Sequence, residues 1–421
     1  MKISAESGGY VMKTYVFAGA SNRALHMYAK PMKRDFVREC RILGVYDINP
    51  GRAQVFAELA GGMPVFTDFA DMLEKTRPDC VIVTTVDAYH SAYTVQSLLA
   101  GCDVIVEKPM ATDAAGCRAI LDAEQATGKK VTVTFNYRFV PFVTRLKEII
   151  AGGAVGQVYS VHFEWLLTRN MAYAAHGASY FRRWNARMQK SGGLLVHKAT
   201  HHFDMVNWVI GQQPSLVSAF GQLNVYGRKN APYHGTRCST CAHQRECPFY
   251  YELTDFDKTF YTEQESYDGY IKDNCVFAPD IDIYDTMAVT VQYGQGAVMA
   301  YSLNATTPYE GWHLAINGSQ GRLEMSNYET GPQAEEPDIQ IRVLDLNNRL
   351  TEHHVSRLAG EHGGGDERLR RMLFLDPQPD PLGHGANSLA GAHSVLIGAA
   401  ANLSIREKRM VSIDQLLGQG G

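Results

Sequence analysis

The sequence of 421 residues predicts an α/β protein, with a doubly wound parallel sheet in residues 12–135 and a second, α+β domain in residues 136–421. Up to Thr134, short and almost wholly apolar runs alternate with helical patterns, which is typical of parallel strands covered on both faces. After Asn136, longer strands follow one another with alternating apolar residues. This second pattern indicates a large, open and mainly antiparallel sheet.

The sequence also predicts the individual strands and helices of each domain. The strands expected in the first domain are Tyr15–Ala18, Ile42–Tyr46, Cys80–Thr84, Val104–Val106 and Val131–Thr134. Helices are expected at 53–59 and at 90–100, where Gly101 suits a left-handed cap. The strands expected in the second domain are 158–166, 216–225, 288–293, 297–303 and 321–325. A helix over 194–210 should pack on one face of that sheet, and residues 228–279 form an insertion rich in Tyr, Asp and Cys.

Composition and charge narrow the class of function. Hydrophobic residues make up 45% and charged residues 20% of the chain, as in an ordinary globular protein. A net charge of -4 leaves no positive field that would gather nucleic acid or an anionic membrane surface. No apolar run approaches the roughly 20 residues of a membrane span, and the N-terminus lacks the apolar centre of a secretion signal. We therefore expect a cytoplasmic protein with a small-molecule partner.

A strand, a turn and a helix at residues 15–24 provide the context of a dinucleotide-binding fingerprint. Gly19 permits the tight turn, Ser21 lies where the backbone must approach a pyrophosphate, and Ala24 replaces the third glycine. The backbone N–H groups at the start of the helix could hold phosphate, and side chains could add donors. The candidate phosphate-binding residues are Gly19, Ala20, Ser21, Asn22 and Arg23.

Asp47 follows the second expected strand and bears on the choice of cofactor. A carboxylate at this position can accept both ribose hydroxyls and repels a 2′-phosphate. The sequence therefore favours NAD over NADP. The alternative is that Asp47 only caps the next helix, beside Asn49 and Arg52.

The fourth expected strand ends in Glu107, Lys108 and Pro109. This segment resembles the Glu-Lys-Pro strand end of the glucose-fructose oxidoreductase, inositol dehydrogenase and MocA (Gfo/Idh/MocA) family. The resemblance extends through residues 84–90, 136–139, 152–158 and 191–204, and so covers nearly the whole chain. It implies a Rossmann domain that binds NAD through further residues. These are Thr85, His90, Glu107, Lys108 and Asn136.

Lys108 has a chemical reason to stand at this strand end. Ligands of doubly wound sheets bind at the carboxyl ends of the strands. Hydride leaves a C–H bond only as the geminal hydroxyl loses its proton, and a nearby cation stabilises the developing oxyanion. We therefore predict that Lys108 is catalytic. The resemblance implies that Pro109 fixes the turn, with a cis bond.

Residues 191–204 resemble the family's glycine-rich turn followed by a helix with an Asp-x-x-x-His motif. His201 matches the histidine that serves there as proton acceptor. The aspartate position holds His197, and Lys198 adds a second cation. On one helix these three residues share a face, so we predict that His201 accepts the proton, Lys198 polarises the hydroxyl and His197 binds substrate. A zinc pair at the two histidines is disfavoured because Lys198 would repel the cation.

Four cysteines are clustered in the insertion. They are Cys238, Cys241, Cys247 and Cys275. In a reducing compartment, clustered cysteines more often bind metal than pair, so structural zinc is one interpretation. Free thiols, a redox-dependent disulfide and an iron–sulfur cluster remain alternatives.

These observations favour an enzyme that oxidises a ring hydroxyl of a sugar, glycoside or cyclic polyol with NAD. The alternative is a redox-neutral glycoside hydrolase, in which transient oxidation is followed by elimination, water addition and re-reduction. A non-enzymatic NAD-binding regulator is disfavoured because Lys108 and His201 are retained. We expect a homodimer or a homotetramer. The predicted substrate-binding residues are Tyr137, Arg138, His197, Tyr309 and His362.

Overall fold

The computed structural model describes residues 12–169, 176–232, 235–375 and 379–418. The N-terminal residues in which we expected no secretion signal lie outside these ranges. The described residues form two sheets, one of seven and one of nine strands. The predicted fold class is confirmed, because a parallel sheet is followed by a mainly antiparallel one.

The first sheet has the strand order β15-β6-β5-β4-β1-β2-β3. Its strands are β1 Lys13–Ala18, β2 Cys40–Tyr46, β3 Val65–Phe66, β4 Cys80–Val83, β5 Asp103–Val106, β6 Val131–Val133 and β15 Ala386–Asn387. All neighbours are parallel except β15, which pairs antiparallel with β6. The accompanying helices are α1 Lys30–Arg34, α2 Pro50–Leu59, α3 Phe69–Thr76, α4 His90–Leu99 and α5 Ala114–Thr127. Almost every side chain of β4 and β5 is buried, which explains their uninterrupted apolar sequences.

The second sheet has the strand order β14-β13-β12-β11-β7-β10-β9-β8-β16. Its strands are β7 Val158–Thr168, β8 Pro214–Gln222, β9 Thr286–Tyr293, β10 Val298–Thr307, β11 Gly311–Gly318, β12 Gly321–Tyr328, β13 Asp338–Asp345, β14 Leu350–Ser356 and β16 Val411–Ser412. Only the β7–β10 pair is parallel among these described strands.

Most helices of the second half cover one face of this sheet or lie in the insertion, and the helix Gly365–Phe374 packs on the first domain. They are α6 Pro141–Ala151, α7 His176–Tyr180, α8 Met188–Ser191, α9 Leu194–His197, α10 Thr200–Ile210, α11 Asp255–Phe260, α12 Glu265–Asp268, α13 Gly365–Phe374, α14 Ser388–Glu407 and α15 Ile413–Leu416. The helix predicted over 194–210 is two helices, α9 and α10, with a turn at Lys198 and Ala199 between them. By length and composition α14 could cross a membrane, but most of it is buried against α5, α10 and β8, as in a core helix.

One segment of the C-terminal half returns to the first sheet. Besides the strand β15, α13 packs on the nucleotide domain, where the Phe374 ring lies 5.6 Å from Tyr15 and 5.3 Å from Phe36. The sequence division at residue 135 therefore does not separate two independent bodies. The two halves of the chain share one sheet.

Candidate active site

A cavity of about 1150 Å³ lies where the carboxyl ends of the parallel strands face the second domain. Residues after β1, β2, β4 and β5 line it, and residues of α9, α10 and β12 complete it. This is the crevice in which doubly wound sheets bind ligands.

The turn after β1 requires glycine. Gly19 has a φ of 106°, and a Cβ there would lie 2.6 Å from the Thr85 nitrogen. The residues that follow, Ala20 to Arg23, line the cavity, and the Ser21 hydroxyl accepts a hydrogen bond from the Ala24 N–H at 3.0 Å. A π-helical segment, Ala24–Ala29, continues from this turn. Such a helix start can hold a pyrophosphate, as predicted.

Asp47 lines the same cavity and is fixed by backbone donors. Its Oδ2 accepts the Ala20 N–H at 2.7 Å and its Oδ1 accepts the Asn49 N–H at 2.8 Å. Burial raises the pKa of Asp47, and Arg52, 3.7 Å away, acts in the opposite direction. Asn49, not Asp47, caps α2, because its side chain accepts the Arg52 N–H at 2.8 Å. The helix-capping interpretation of Asp47 is therefore wrong.

Arg23 does not have a free guanidinium for phosphate. Its Nε donates to Glu107 at 2.8 Å, and its two terminal nitrogens donate to Asp366 at 2.7 and 3.1 Å. Glu107 also accepts the Tyr28 hydroxyl at 2.6 Å. Although burial acts to raise it, the pKa of Glu107 is held below its usual value by Arg23 and Tyr28. We predicted that Arg23 and Glu107 bind the cofactor directly. Their side chains instead bind each other and their neighbours, and so position the walls of the cavity.

Asp366 links this wall to two predicted site residues. Its carboxylate accepts the Asn136 amide at 2.7 Å and contacts Nδ1 of His362 at 3.0 Å. Burial would raise the pKa of Asp366, but His362 and Arg23 hold it well below its usual value. The Asn136 side-chain oxygen is buried without a partner among the described residues. Since Asn136 and His362 line the cavity, this oxygen is available to a bound ligand.

His90 has a structural task that the sequence did not predict. Its Nδ1 lies 2.7 Å from the Pro109 carbonyl and its Nε2 lies 3.1 Å from the Thr85 carbonyl. The ring therefore ties the loop after β4 to the cis Lys108–Pro109 turn after β5. Thr85 lines the cavity as predicted, and both ring nitrogens of His90 face backbone carbonyls, to one of which the neutral ring can donate.

Lys108 extends into the cavity and donates to the backbone carbonyl of His197 at 3.0 Å. Burial lowers the pKa of Lys108 to about 8, since the nearby Asp87 only partly offsets it and Lys198 adds to the effect. Lys108 therefore loses its proton more readily here than in water.

The partner of His197 is a residue that the sequence analysis missed. Nδ1 of His197 lies 2.6 Å from the Asp87 carboxylate, and the rings of Tyr180 and Trp184 meet its ring edge-on. Burial raises the pKa of Asp87 and lowers that of His197. The position of Asp87 just after a buried parallel strand was a usable signal, because that strand end faces the ligand crevice.

His201 and Lys198 lie beside aromatic rings in the same cavity. The His201 ring stacks on Tyr137 at 4.7 Å, and its Nδ1 has no hydrogen-bond partner within the described part of the chain. Burial, with Lys108 and Lys198, lowers the pKa of His201 well below its usual value. Lys198 lies 4.7 Å from the Trp165 ring centre. Burial acts to lower its pKa, but nearby phenol and carboxylate oxygens outweigh this and hold it above its usual value.

Two of the predicted substrate-binding residues, Arg138 and Tyr309, do not line the cavity. Arg138 is buried and binds Asp204 through two hydrogen bonds of 2.7 and 2.6 Å, because its helical turn directs it away from the cavity. Tyr309 packs against Tyr328 outside the cavity lining. Aromatic and polar residues not predicted from the sequence line the substrate end instead. They are Tyr180, Trp184, Trp312, Asn327, Tyr328, Glu329 and Arg357.

The cysteine cluster does not form a metal centre. In the described ranges, no three His, Cys, Asp or Glu side chains are grouped to hold a metal ion, and all eight cysteines are free. Zinc at Cys238, Cys241, Cys247 and Cys275 is therefore not supported. The Arg182 guanidinium, 2.8 Å from the Cys238 sulfur, would also repel a cation there.

Known protein families and individual relatives match most of this chain. The NAD-binding Rossmann-fold model of the GFO_IDH_MocA oxidoreductase family matches residues 13–135, and the model of its C-terminal alpha/beta domain matches residues 147–413. The YteT protein of Bacillus subtilis (strain 168) is 38% identical over 96% of this chain and 99% of its own length. An inositol 2-dehydrogenase of Acidothermus cellulolyticus is 31% identical over 46% of this chain and 52% of its own length.

Solved structures show the same fold at low identity. Levoglucosan dehydrogenase, in complex with NADH and levoglucosan, has a TM-score of 0.67 and 16% identity over 96% of this chain and all of its own. An aldose-aldose oxidoreductase from Caulobacter crescentus, complexed with glycerol, has a TM-score of 0.62 and 16% identity over the same shares.

Proposed function

Because this chain belongs to the Gfo/Idh/MocA oxidoreductase family, we propose that it oxidises a ring hydroxyl of a sugar, glycoside or cyclic polyol with NAD. One observation carries the proposal. Lys108, Lys198 and His201 line a single cavity together with the glycine turn and Asp47. Cations, a neutral imidazole and a dinucleotide site thus meet at one place.

The residues present fit NAD. The turn at Gly19 leaves no room for a side chain, Asp47 faces the cavity at the end of β2, and the buried oxygen of Asn136 lacks a partner among the residues described. These groups would hold the pyrophosphate, a ribose and a further polar group, respectively. When bound, NAD supplies the hydride acceptor. Asp47 favours it over NADP because a buried carboxylate repels a 2′-phosphate.

The side chains at the other end of the cavity would handle the proton. His201 is neutral at ordinary pH because its pKa is lowered, so it can accept the hydroxyl proton. The ammonium groups of Lys108 and Lys198 would stabilise the oxygen as its negative charge develops. His197, oriented by Asp87, would bind a neighbouring substrate hydroxyl.

A redox-neutral glycoside hydrolase is the second candidate. That reaction needs further proton transfers, at the carbon next to the oxidised centre and at the departing oxygen. The Asp87–His197 pair adds titratable groups beside Lys108, whose pKa of about 8 suits proton exchange. The geometry is compatible with both reactions.

Incubation with NAD and a panel of glycosides, monosaccharides and inositols would test the proposal. Net NADH formation marks a dehydrogenase, whereas free sugar without net NADH marks the hydrolase. The Lys108→Ala variant is the matched control, since it should bind NAD and lose turnover. If no compound on the panel is converted in either way, the proposed function is wrong.

A further inference from the structure

We infer that residues 255–270 of the insertion close over the adenosine end of the cleft, so that NAD(H) is retained from one turnover to the next. This inference rests on the proposed function. Tyr261, Asp268 and Tyr270 line the same cavity as Asp47. Three side chains from the insertion thus face the place where a ribose would bind.

Direct contacts join this segment, here called the clamp, to helix α2. The Asn49 side chain donates to the Gln264 carbonyl at 2.9 Å, and Arg52 donates to Asp268 at 2.6 Å. Both side chains of the Arg52–Asp268 pair are mostly buried, with exposed fractions of 12% and 15%. Removing one partner of a desolvated charge pair costs more than breaking an exposed pair, because the other charge is left buried and unpaired.

Arg52 connects the clamp to the ribose site. Its guanidinium lies 3.7 Å from Asp47 and 5.7 Å from the ring centres of both Tyr261 and Tyr270. An adenosine held at Asp47 would therefore have β2 on one side and the clamp beside it. In the proposed arrangement, these contacts slow its departure.

The clamp is also held by contacts with the nucleotide domain and with the rest of the insertion. Phe260 is fully buried in the core of the nucleotide domain, and Phe256 meets the His26 ring at 5.9 Å. Arg237 holds the other end of the clamp through Glu265 at 2.9 Å. At Gly51, any added Cβ would collide with the Gln264 side chain. The clamp is thus packed as a part of the domain.

Retention of the cofactor constrains the chemistry. If NADH leaves slowly, the hydride removed from one alcohol carbon, which carries both electrons of the oxidation, must return to a carbonyl carbon that binds in the same cavity. The proton accepted by His201 is then returned to the carbonyl oxygen. The overall reaction is redox-neutral, either within one sugar or between two substrates, and needs no external oxidant.

Stopped-flow displacement of NADH would test the inference. Purified full-length protein should contain bound NAD(H), and Asp268→Asn should accelerate NADH dissociation by about tenfold or more, because loss of a buried charge pair acts mainly on the off-rate. Glu246→Gln is the matched control. This residue lies in the same insertion but outside the clamp and pairs with His243 on the surface, so the off-rate should stay unchanged.

Hydrogen exchange on the unmutated protein gives a second measurement. Protein that carries NAD(H) should exchange more slowly in residues 255–270 than protein from which the cofactor has been removed, whereas β13 and β14 should exchange at the same rate in both. The inference is overturned if the clamp gains no protection, or if Asp268→Asn and Glu246→Gln release NADH at the same rate. Net NADH formation by a rapidly exchanging enzyme would also overturn it, while the proposed hydroxyl oxidation would stand.

Discussion

His197 and His201 both line the cavity, and their neighbours give the two imidazoles different tasks. Nδ1 of His197 is held by the Asp87 carboxylate at 2.6 Å, whereas Nδ1 of His201 has no partner in the described residues. A ring fixed by a carboxylate keeps one orientation and can bind a substrate oxygen. The unpartnered ring is the better proton acceptor for a hydroxyl on the reacting carbon.

His201→Ala should therefore lower kcat by on the order of 10², and by more than Lys198→Ala, because it removes the acceptor itself. His197→Ala should chiefly raise KM for the sugar. Steady-state kinetics at saturating NAD separates the two effects. If Lys198→Ala is the more damaging to kcat, the roles of His201 and Lys198 are reversed.

The pH profile should report Lys108. Its ammonium form stabilises the developing oxyanion, so kcat/KM should fall as the pH rises through about 8. Asp87 favours that ammonium form, so Asp87→Asn should lower the pKa of Lys108 further and shift the decline to lower pH. Asp122→Asn, a distant exposed carboxylate, should leave the profile unchanged. An alkaline limb that does not move in Asp87→Asn contradicts the role of Lys108.

Among the structural elements, the short helical turn Asn136–Phe139 shows that the sequence alone does not predict the direction of each side chain. Adjacent residues in a tight turn point in different directions, so Tyr137 lines the cavity while Arg138 is buried against Asp204 in α10. Their adjacency in sequence led us to predict one role for both. The structure assigns Arg138 to the joint between two elements.

Arg138→Met should consequently destabilise the protein by about 3–5 kcal/mol, because Asp204 is left as a buried, unpaired charge. Denaturant unfolding measures the loss. The control is Arg145→Met, whose ion pair with Glu148 is exposed, and which should change stability by about 0.5 kcal/mol or less. Equal effects of the two substitutions would contradict the structural role of Arg138.

The end of β2 should set cofactor choice. Asp47→Ala should weaken NAD binding and increase the use of NADP, because the ribose acceptor is lost and Arg52 is released from one of its two carboxylates. Titration with both cofactors measures the change. Glu58→Ala, on the exposed side of α2, is the control. Equal use of NAD and NADP by the unmutated protein would refute the assignment.

Across the whole molecule, the sequence predicted what is local. Apolar runs predicted β1, β2 and the strands from β4 to β6, and the place of Lys108 at a strand end predicted that it lies in the ligand crevice. It did not predict contacts between distant segments, since nothing in a local pattern records them. Arg23 and Asp366 meet although 343 residues separate them, and Asp87 and His197 are 110 residues apart.

The outer face of the nine-stranded sheet is open and carries mainly small or polar side chains. One row across it runs through Phe220, Ala288, Ser302, Glu164, His313 and Ser326. Phe220 is 80% exposed at one side of this row. An exposed aromatic side chain on a broad, flat sheet is a suitable contact for a second copy of the chain.

If this face forms the expected homodimer or homotetramer, Phe220→Glu should weaken subunit association by about tenfold or more. Light scattering after gel filtration gives the mass. Leu346→Glu, equally exposed at a hairpin on the opposite side of the sheet, is the control. A monomeric mass for the unmutated protein would contradict the expectation.

The return of β15 to the first sheet also bears on how the chain folds during synthesis. β6 remains an edge strand until β15 emerges, roughly 250 residues later. At ribosomal speeds of about 5–20 residues per second, that edge stays unpaired for on the order of 10–50 s. Exposed strand edges pair readily with other chains, so the nascent nucleotide domain is open to aggregation during this interval and is a natural substrate for chaperones.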